Sequence, residues 1–444
     1  MSSIKTGWGT KEGGSWKSWK KRMFNLTETK LEYFKDAQMT KKMGEIDVLK
    51  ITQVIEVDMY KKHKNLIRII TPARTFHISV QTEKERDEWI KIIKEIVEKN
   101  NKPKTSFPSP QVFGGKETEV QRVGMDDFEI ISLLGKGAFG KVMLVRYKKD
   151  RNVFAMKTVE KAQIIDSNEV DHILSEKKVL SQINNPFLVN MHYTFQTPTH
   201  LVFILDYCAG GELFNYLQKH ENGLPEGDVR FYAAQIILAL EHMHSTGIIY
   251  RDIKPENILF EKDGYLRMTD FGLAKRTDKN TTSTFCGTPE YLAPEVVEGL
   301  DYDENVDWWG LGILIYEMLF NHSPFLAESM EELYENILQG EPEYPEDKHL
   351  SDQCIDFINK LLIKDPKNRM NNTDQMKTHE WFDGFSFDDL YYKKLTPPYV
   401  PQIKSVTDTS NFDEEITGEE VDLLAGVEAV DDNKIFGDFT YVQK

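Results

Sequence analysis

The stretch Gly135-Lys136-Gly137-Ala138-Phe139-Gly140-Lys141-Val142 constrains the fold of this chain more than any other. Its glycines let backbone N–H groups come close to phosphates, because a Cβ at those positions would obstruct the approach. The same spacing occurs in dinucleotide-binding folds, but there the loop opens a helix and an acidic residue follows about 20 positions on. Here Val142-Met143-Leu144-Val145 follows, a β-branched and apolar run that continues as a strand. The loop is therefore expected to link strands. Ala155-Met156-Lys157 then supplies a lysine able to reach the α- and β-phosphates of a nucleotide, and Glu176, in Ser175-Glu176-Lys177-Lys178-Val179-Leu180, is the candidate to hold it from the next helix.

Asp252, Asn257 and Asp270 lie further on, in Tyr250-Arg251-Asp252-Ile253-Lys254-Pro255-Glu256-Asn257 and in Asp270-Phe271-Gly272. Phosphoryl transfer from ATP needs this set in this order. It asks almost no covalent chemistry of the protein: one carboxylate takes the hydroxyl proton, and an amide and a second carboxylate hold magnesium ions on the phosphates. Asp252 is the expected base, and Asn257 and Asp270 are the expected magnesium ligands. Lys157 alone would read as an ordinary solvated lysine, but the further motifs in sequence give it a place.

The 444 residues, 40% hydrophobic and 11% aromatic, can bury two or three cores, so at least two domains are expected. Charge is divided between them. Residues 1–102 hold 22 Lys+Arg against 14 Asp+Glu, a net of +8, and the remainder holds 33 against 58, a net of −25. Between the two parts, the run from Asn101 to about Val123 has Pro103, Pro108 and Pro110, small polar residues and no apolar period, and reads as a linker. Cys208, Cys286 and Cys354 are too few and too scattered for a disulfide framework or a zinc site, which points to a reducing cytosol. No apolar signal segment opens the sequence. The longest apolar stretch, Val306 to Phe320, is interrupted by Asp307 and Glu317 and falls short of the ~20 residues of a membrane span, so it reads as a buried helix.

In the first hundred residues β-rich runs occur at Met23–Leu26, Leu31–Phe34, Ile51–Val57, Leu66–Ile70 and Thr75–Val80. A helix is expected over Thr82–Lys99, with Trp89, Ile92 or Ile93, and Ile96 plugging a small β-barrel and Glu83, Glu85, Arg86 and Lys94 facing water. Together with Gly7-Trp8, Lys11 and Trp19-Lys20-Lys21-Arg22-Met23-Phe24, this pattern resembles the pleckstrin homology domain. The resemblance implies that Lys11, Lys20, Arg22 and Arg74 grip a 3-phosphoinositide headgroup. Clustered lysines and a bidentate arginine suit a polyphosphate. A protein-docking role for this domain is the alternative.

Phe128 to about Phe382 resembles a protein kinase catalytic domain, in which Ala293-Pro294-Glu295 and Arg369 match a buried ion pair of the large lobe. Tyr250, Thr284-Phe285-Cys286-Gly287-Thr288-Pro289-Glu290-Tyr291, Asn411-Phe412-Asp413 and Phe436-Gly437-Asp438-Phe439-Thr440-Tyr441 give the pattern of the AGC kinases. With the pleckstrin homology domain, the whole resembles the protein kinase B (Akt) group. The fold implied is multidomain α+β: residues 1–102 a small barrel capped by a helix, 103–123 a linker, 124–382 a bilobal kinase fold and 383–444 an extended regulatory tail.

That resemblance implies a serine/threonine kinase using ATP and Mg2+, cytoplasmic and recruited to the inner face of the plasma membrane by phosphatidylinositol 3,4,5-trisphosphate. It implies catalytic roles for Asp252, Lys254, Lys157 and Glu176, nucleotide contacts from Gly135 through Val142 and from Cys208 and Phe412, and an apolar stack of Leu180, Met191, Tyr250 and Phe271. It also implies phosphosites at Thr284, held by Arg251, Lys275 and His172, and at Thr440, with Phe436 and Phe439 docked near Gln196. An upstream 3-phosphoinositide-dependent kinase and a hydrophobic-motif kinase are the implied partners, with no nucleic acid. Glu212, Glu256 and Glu317 match glutamates that receive substrate arginines, so Arg-x-Arg-x-x-Ser/Thr is the expected motif. A catalytically dead lipid-binding scaffold is the alternative class, against which stands an intact catalytic set. One departure concerns the tail. No serine or threonine lies between Thr417 and Thr440, where such kinases usually carry a second phosphosite, and residues 405–439 instead hold 11 acidic residues and one lysine. Fixed carboxylates in place of a phosphate, a different anchorage, or a disordered acidic tail are the readings left open.

Overall fold

The structure, a computed structural model, describes residues 3–12, 19–51, 53–60, 63–71, 75–100, 123–137, 139–277, 281–419, 435–437 and 439–442. The chain divides into two compact units, residues 1–118 and 119–444.

In the first unit, strands β1 (Lys5–Glu12), β2 (Trp19–Leu26), β3 (Lys30–Phe34), β4 (Lys42–Asp47), β5 (Gln53–Tyr60), β6 (His63–Ile70) and β7 (Thr75–Ser79) form one antiparallel sheet in the order β4-β3-β2-β1-β7-β6-β5. Helix α1 (Glu83–Asn100) follows. Alternate residues such as Leu31, Ile46, Ile67, Ile69, Phe76 and Ile78 turn to a core that Trp89, Ile93 and Ile96 of α1 close. Strand β1 sits at the centre of the sheet yet has the least strand-like sequence. The reason is close packing: a Cβ on Gly9 would lie 3.0 Å from Ile78 Cγ2 and 3.1 Å from Phe24 Cε2. Arg86, expected to face water, is buried instead, because its guanidinium reaches Glu56 Oε2 at 3.3 Å and Asp87 Oδ1 at 2.9 Å while its stem covers apolar surface.

The second unit opens with β8 (Phe128–Gly137), β9 (Gly140–Tyr147), β10 (Val153–Glu160), the short helix α2 (Lys161–Asp166), α3 (Val170–Leu180), β11 (Met191–Gln196) and β12 (His200–Leu205). These strands and the C-terminal pair Tyr441–Val442 make a six-stranded antiparallel sheet, in which the pair hydrogen-bonds the free edge of β11. A helical lobe follows, with α4 (Leu213–Leu217), α5 (Glu226–Ser245), α6 (Pro294–Val297) and α7 (Asn305–Phe320). Apolar residues run round α7 on every face, as a helix in the middle of a lobe requires, and it is buried there as the sequence indicated. Among the described residues no helix is long and apolar enough to cross a membrane. Arg369 clamps the N-terminus of α7 to α6 by bonding both oxygens of Glu295, at 2.7 and 2.8 Å, and the carbonyl of Asn305 at 3.0 Å. A fork of this kind satisfies a buried charge that would otherwise cost several kcal/mol.

Beyond Phe387–Tyr391 the chain turns back across both lobes. Leu395 accepts from the Tyr265 hydroxyl at 2.5 Å, the Tyr399 ring packs on Tyr216 and Phe260, and Asn411 Nδ2 donates to the Ala209 carbonyl at 3.0 Å. Glycines floor this path. A Cβ on Gly264 would meet Tyr399 O at 2.1 Å, one on Gly210 would meet Pro401 Cγ at 2.6 Å, and one on Gly211 would meet Asn411 O at 2.4 Å.

Candidate active site

Gly137 pairs with Gly140 where β8 turns into β9, and Ala138 at the turn lies outside the described residues. The glycines serve two purposes. A Cβ on Gly140 would lie 1.7 Å from Thr158 O, so this glycine lets β9 lie on β10, whereas the space at Gly135 is open. Phe139 packs against the core, and Lys141 and Val142 pair with Thr158 and Lys157 across β10. Lys136 leaves the loop, its Nζ 2.6 Å from Glu419 Oε2.

Lys157, on β10, places its Nζ 2.6 Å from Glu176 Oε1 on α3 and 3.6 Å from Asp270 Oδ1. Burial works against the ammonium, but the two carboxylates outweigh it and hold Lys157 above the usual lysine range. Burial pushes the Glu176 carboxyl up against the pull of Lys157, and its Oε2 is buried without a hydrogen-bond partner among the described residues. Lys157 in turn holds the Asp270 carboxyl below the usual carboxylate range. Asp270 has φ of 53° and half its side chain open to solvent. A left-handed backbone at a non-glycine residue must be enforced by its surroundings.

Asp252 is buried, with Oδ2 2.6 Å from Asn257 Nδ2 and 3.2 Å from Lys254 Nζ. Asn257 Nδ2 also donates to the Asp252 carbonyl at 2.9 Å, which closes the loop on itself. Arg251 beside it has φ of 69°. What enforces this is Asp307 of α7, whose carboxylate accepts from the Tyr250 and Arg251 backbone N–H groups at 2.8 and 2.7 Å and faces His244 Nε2 at 2.7 Å. In the sequence Asp307 stands out only as a charge interrupting an apolar run. Leu180, Met191, Tyr250 and Phe271 are all buried in one core, Tyr250 and Phe271 edge to face at 5.8 Å. Cys208 is buried at the turn between the lobes, and burial pushes its thiol up; Phe412 stacks on the neighbouring Tyr207 at 5.9 Å.

Glu212, Glu256 and Glu317 share one region, since the charge of Glu256 acts on both of the others. Burial, then Glu256, raises the Glu212 carboxyl; burial also raises Glu317, which accepts a bond from the Tyr291 hydroxyl. Thr284 is exposed, its Oγ1 3.5 Å from Lys275 Nζ and its carbonyl 2.5 Å from the Tyr302 hydroxyl, which Arg251 Nη1 also reaches at 3.1 Å. His172, expected to help hold a phosphate there, pairs with Glu169, the residue just before its helix, at 2.5 Å. Thr440 is exposed directly after two buried anchors. Phe436 and Phe439 are buried, their carbonyls accepting from Gln196 Nε2 at 2.8 Å and Thr194 Oγ1 at 2.5 Å. Lys161, which sequence reasoning missed, lies buried with its Nζ 5.7 Å from the Phe436 ring centroid.

In the first unit Lys11 and Lys20 are directly paired across β1 and β2, and Arg22 pairs with Gly9 two positions on. Like charges opposite each other repel, so an anion bound beside this pair would relieve it. Lys20 is exposed, but Lys11 is buried, its Nζ over the rings of Tyr33 and Phe76 and bonded to the Glu12 carbonyl at 2.9 Å. Arg22 Nη1 donates to the Lys21 carbonyl. Arg74 lies outside the described residues.

A glycine hairpin over a sheet lobe, a lysine shared by two carboxylates and a carboxylate loop hung from a buried helix define a protein kinase. The protein kinase domain family matches residues 128–382, the PH domain family residues 3–98 and the protein kinase C terminal domain family residues 403–441. The chain is similar to a RAC family serine/threonine-protein kinase homolog of Dictyostelium discoideum, 42% identical with 98% of this chain and 96% of the relative covered. It is also similar to RAC-beta serine/threonine-protein kinase A of Xenopus laevis, at 39% with 95% and 92% covered, and to the RAC serine/threonine-protein kinase of Drosophila melanogaster, at 37% with 95% and 75% covered. The chain belongs to the RAC (Akt) family of serine/threonine protein kinases with a PH domain.

Proposed function

We propose that this kinase transfers the γ-phosphate of ATP to serine or threonine in arginine-rich proteins, with Mg2+, and that 3-phosphoinositides bring it to membranes. The observation that carries the catalytic part is Lys157, which touches both Glu176 and Asp270 and so ties the sheet lobe to the loop of the helical lobe. Its ammonium grips the α- and β-phosphates. Asp252 has one oxygen engaged by Asn257 and Lys254, which leaves Oδ1 to take the proton of the substrate hydroxyl. Lys254 then balances charge on the transferred group. The donor set suits a hard cation: Asp270 offers a carboxylate, and Asn257, having given its amide N–H to Asp252, is left with its side-chain oxygen. Magnesium bound there would neutralise phosphate charge. The raised carboxyls of Glu212 and Glu317 around Glu256 fit guanidinium, which pairs with a carboxylate in a planar fork.

Phosphates on Thr284 and Thr440 are the proposed switch. The first would draw in Lys275 and Arg251, and the second would fix the tail that Phe436 and Phe439 anchor. Asp270→Asn should reduce transfer to an arginine-rich serine peptide by several orders of magnitude while binding to phosphatidylinositol 3,4,5-trisphosphate liposomes stays unchanged. Substantial activity in that variant would overturn the assignment. Arg22→Cys should do the reverse, losing liposome binding, and normal sedimentation would favour protein docking by the first unit.

A further inference from the structure

The tail reaches the nucleotide loop through one carboxylate. Phe412 stacks on Tyr207 between the lobes, Asp413 caps the short turn of helix Glu414–Thr417 by accepting from Glu415 N at 2.9 Å, and Ile416 packs on the apolar core under β8 and β9. From that turn two bonds go to β8. Ser132 Oγ donates to the Thr417 carbonyl at 3.0 Å, and Lys136 Nζ lies 2.7 Å from Oε1 and 2.6 Å from Oε2 of Glu419. Both oxygens of one carboxylate thus face the ammonium that stands between Gly135 and Gly137.

We propose that Glu419 is a positioning residue for ATP: it fixes Lys136, and with it the end of β8 at Gly135–Gly137, before the nucleotide arrives. A loop already ordered loses less conformational freedom on binding, and the saving appears as affinity. The carboxylate is part of the chain, so the brace needs no modifying enzyme. It also neutralises Lys136 from the tail side, leaving the phosphates to Lys157 and the backbone N–H groups. This inference rests on the loop being the ATP site.

The test is steady-state kinetics on the full chain with ATP varied at saturating peptide. Both partners are roughly half exposed, so a contact of the strength usual for surface pairs should give Glu419→Gln a KM for ATP about two- to five-fold higher, with kcat unchanged. The difference should shrink as ionic strength rises from about 0.05 to 0.5 M, because screening weakens exposed pairs. In a Lys136→Gln background the same substitution should have no further effect, and the reversed pair Lys136→Glu with Glu419→Lys should recover part of the affinity lost by either alone. An unchanged KM for ATP in Glu419→Gln, or an equal rise with and without Lys136, would overturn the proposal. A wild-type chain with no saturable dependence on ATP would instead overturn the functional reading beneath it; a normal ATP dependence that ignores position 419 would remove the brace alone.

Discussion

Replacing Asp307 by asparagine tests whether the catalytic loop hangs from α7. The carboxylate, almost wholly buried, takes bonds from Tyr250 N, Arg251 N and His244 Nε2, all within 2.8 Å. Asparagine keeps the shape and loses one acceptor, so its NH2 must face an N–H group whichever way the amide turns. That mismatch leaves a buried donor unsatisfied, at about 1–3 kcal/mol, and the remaining bonds fall from charge-assisted to neutral strength, at about 1 kcal/mol each. A total on the order of 3–5 kcal/mol follows, divided between stability and the backbone of Arg251, whose φ of 69° relaxes once the carboxylate lets go. Calorimetry on the full chain should show the transition of the larger unit lowered by about 2 °C or more per kcal/mol, on the order of 10 °C. Peptide phosphorylation should show kcat falling well below wild type even at temperatures where the variant is folded, because Asp252 follows Arg251 directly. A variant with wild-type melting and wild-type kcat would refute the reasoning, since the bonds would then hold nothing.

His242 is buried, and burial pushes its imidazole down to about 4, so the folded protein keeps it neutral while the unfolded chain, with an ordinary histidine near 6.5, takes up a proton. Stability from this group is complete above pH ~6.5 and is lost as pH falls toward 4, amounting to about 2 kcal/mol between pH 7 and 5; urea unfolding at the two pH values should show that difference shrink in His242→Gln. Glu212→Gln should weaken selection for arginine three positions before the acceptor by roughly 1–3 kcal/mol, read on a peptide array, and an unaltered preference would show that Glu212 does not contact substrate. Phe436→Ala removes a fully buried ring from the sheet lobe and should lower activity together with about 3–5 kcal/mol of tail docking, measured by proteolysis of the C-terminus.

The parts legible in the sequence are those whose chemistry restricts both residue type and spacing. Asp252, Asn257, Asp270 and Lys157 stand at fixed distances along the chain from a turn or strand, and the structure brings Lys157 to Asp270 and Asn257 to Asp252. Strand β1 was hidden because Gly7 and Gly9 are dictated by what lies over them, Trp89 and Phe24, and no local pattern reports a neighbour 15 or more residues away. Asp307 was hidden for the converse reason: an acid in the first turn of a helix is ordinary, and only the fold shows that this one faces two N–H groups some 57 residues back. The tail gave 11 acids in 35 residues, all alike in composition, and which of them meets a lysine 283 residues earlier is decided by the path of the backbone.

That path has a consequence for where this polypeptide can be cut. The glycine floor at Gly210, Gly211 and Gly264 brings the tail backbone into direct contact with the lobes, and Tyr216, Phe260 and Tyr265 spend their faces on Tyr399 and Leu395. A chain ended at 382, at the limit of the matched kinase segment, would bare those aromatics together with the free edge of β11 and the pocket of Phe436 and Phe439. Exposed rings beside an unpaired strand edge are the usual seeds of aggregation. Heterologous production of the catalytic part should therefore run through Val442, so that those rings and that strand edge stay covered.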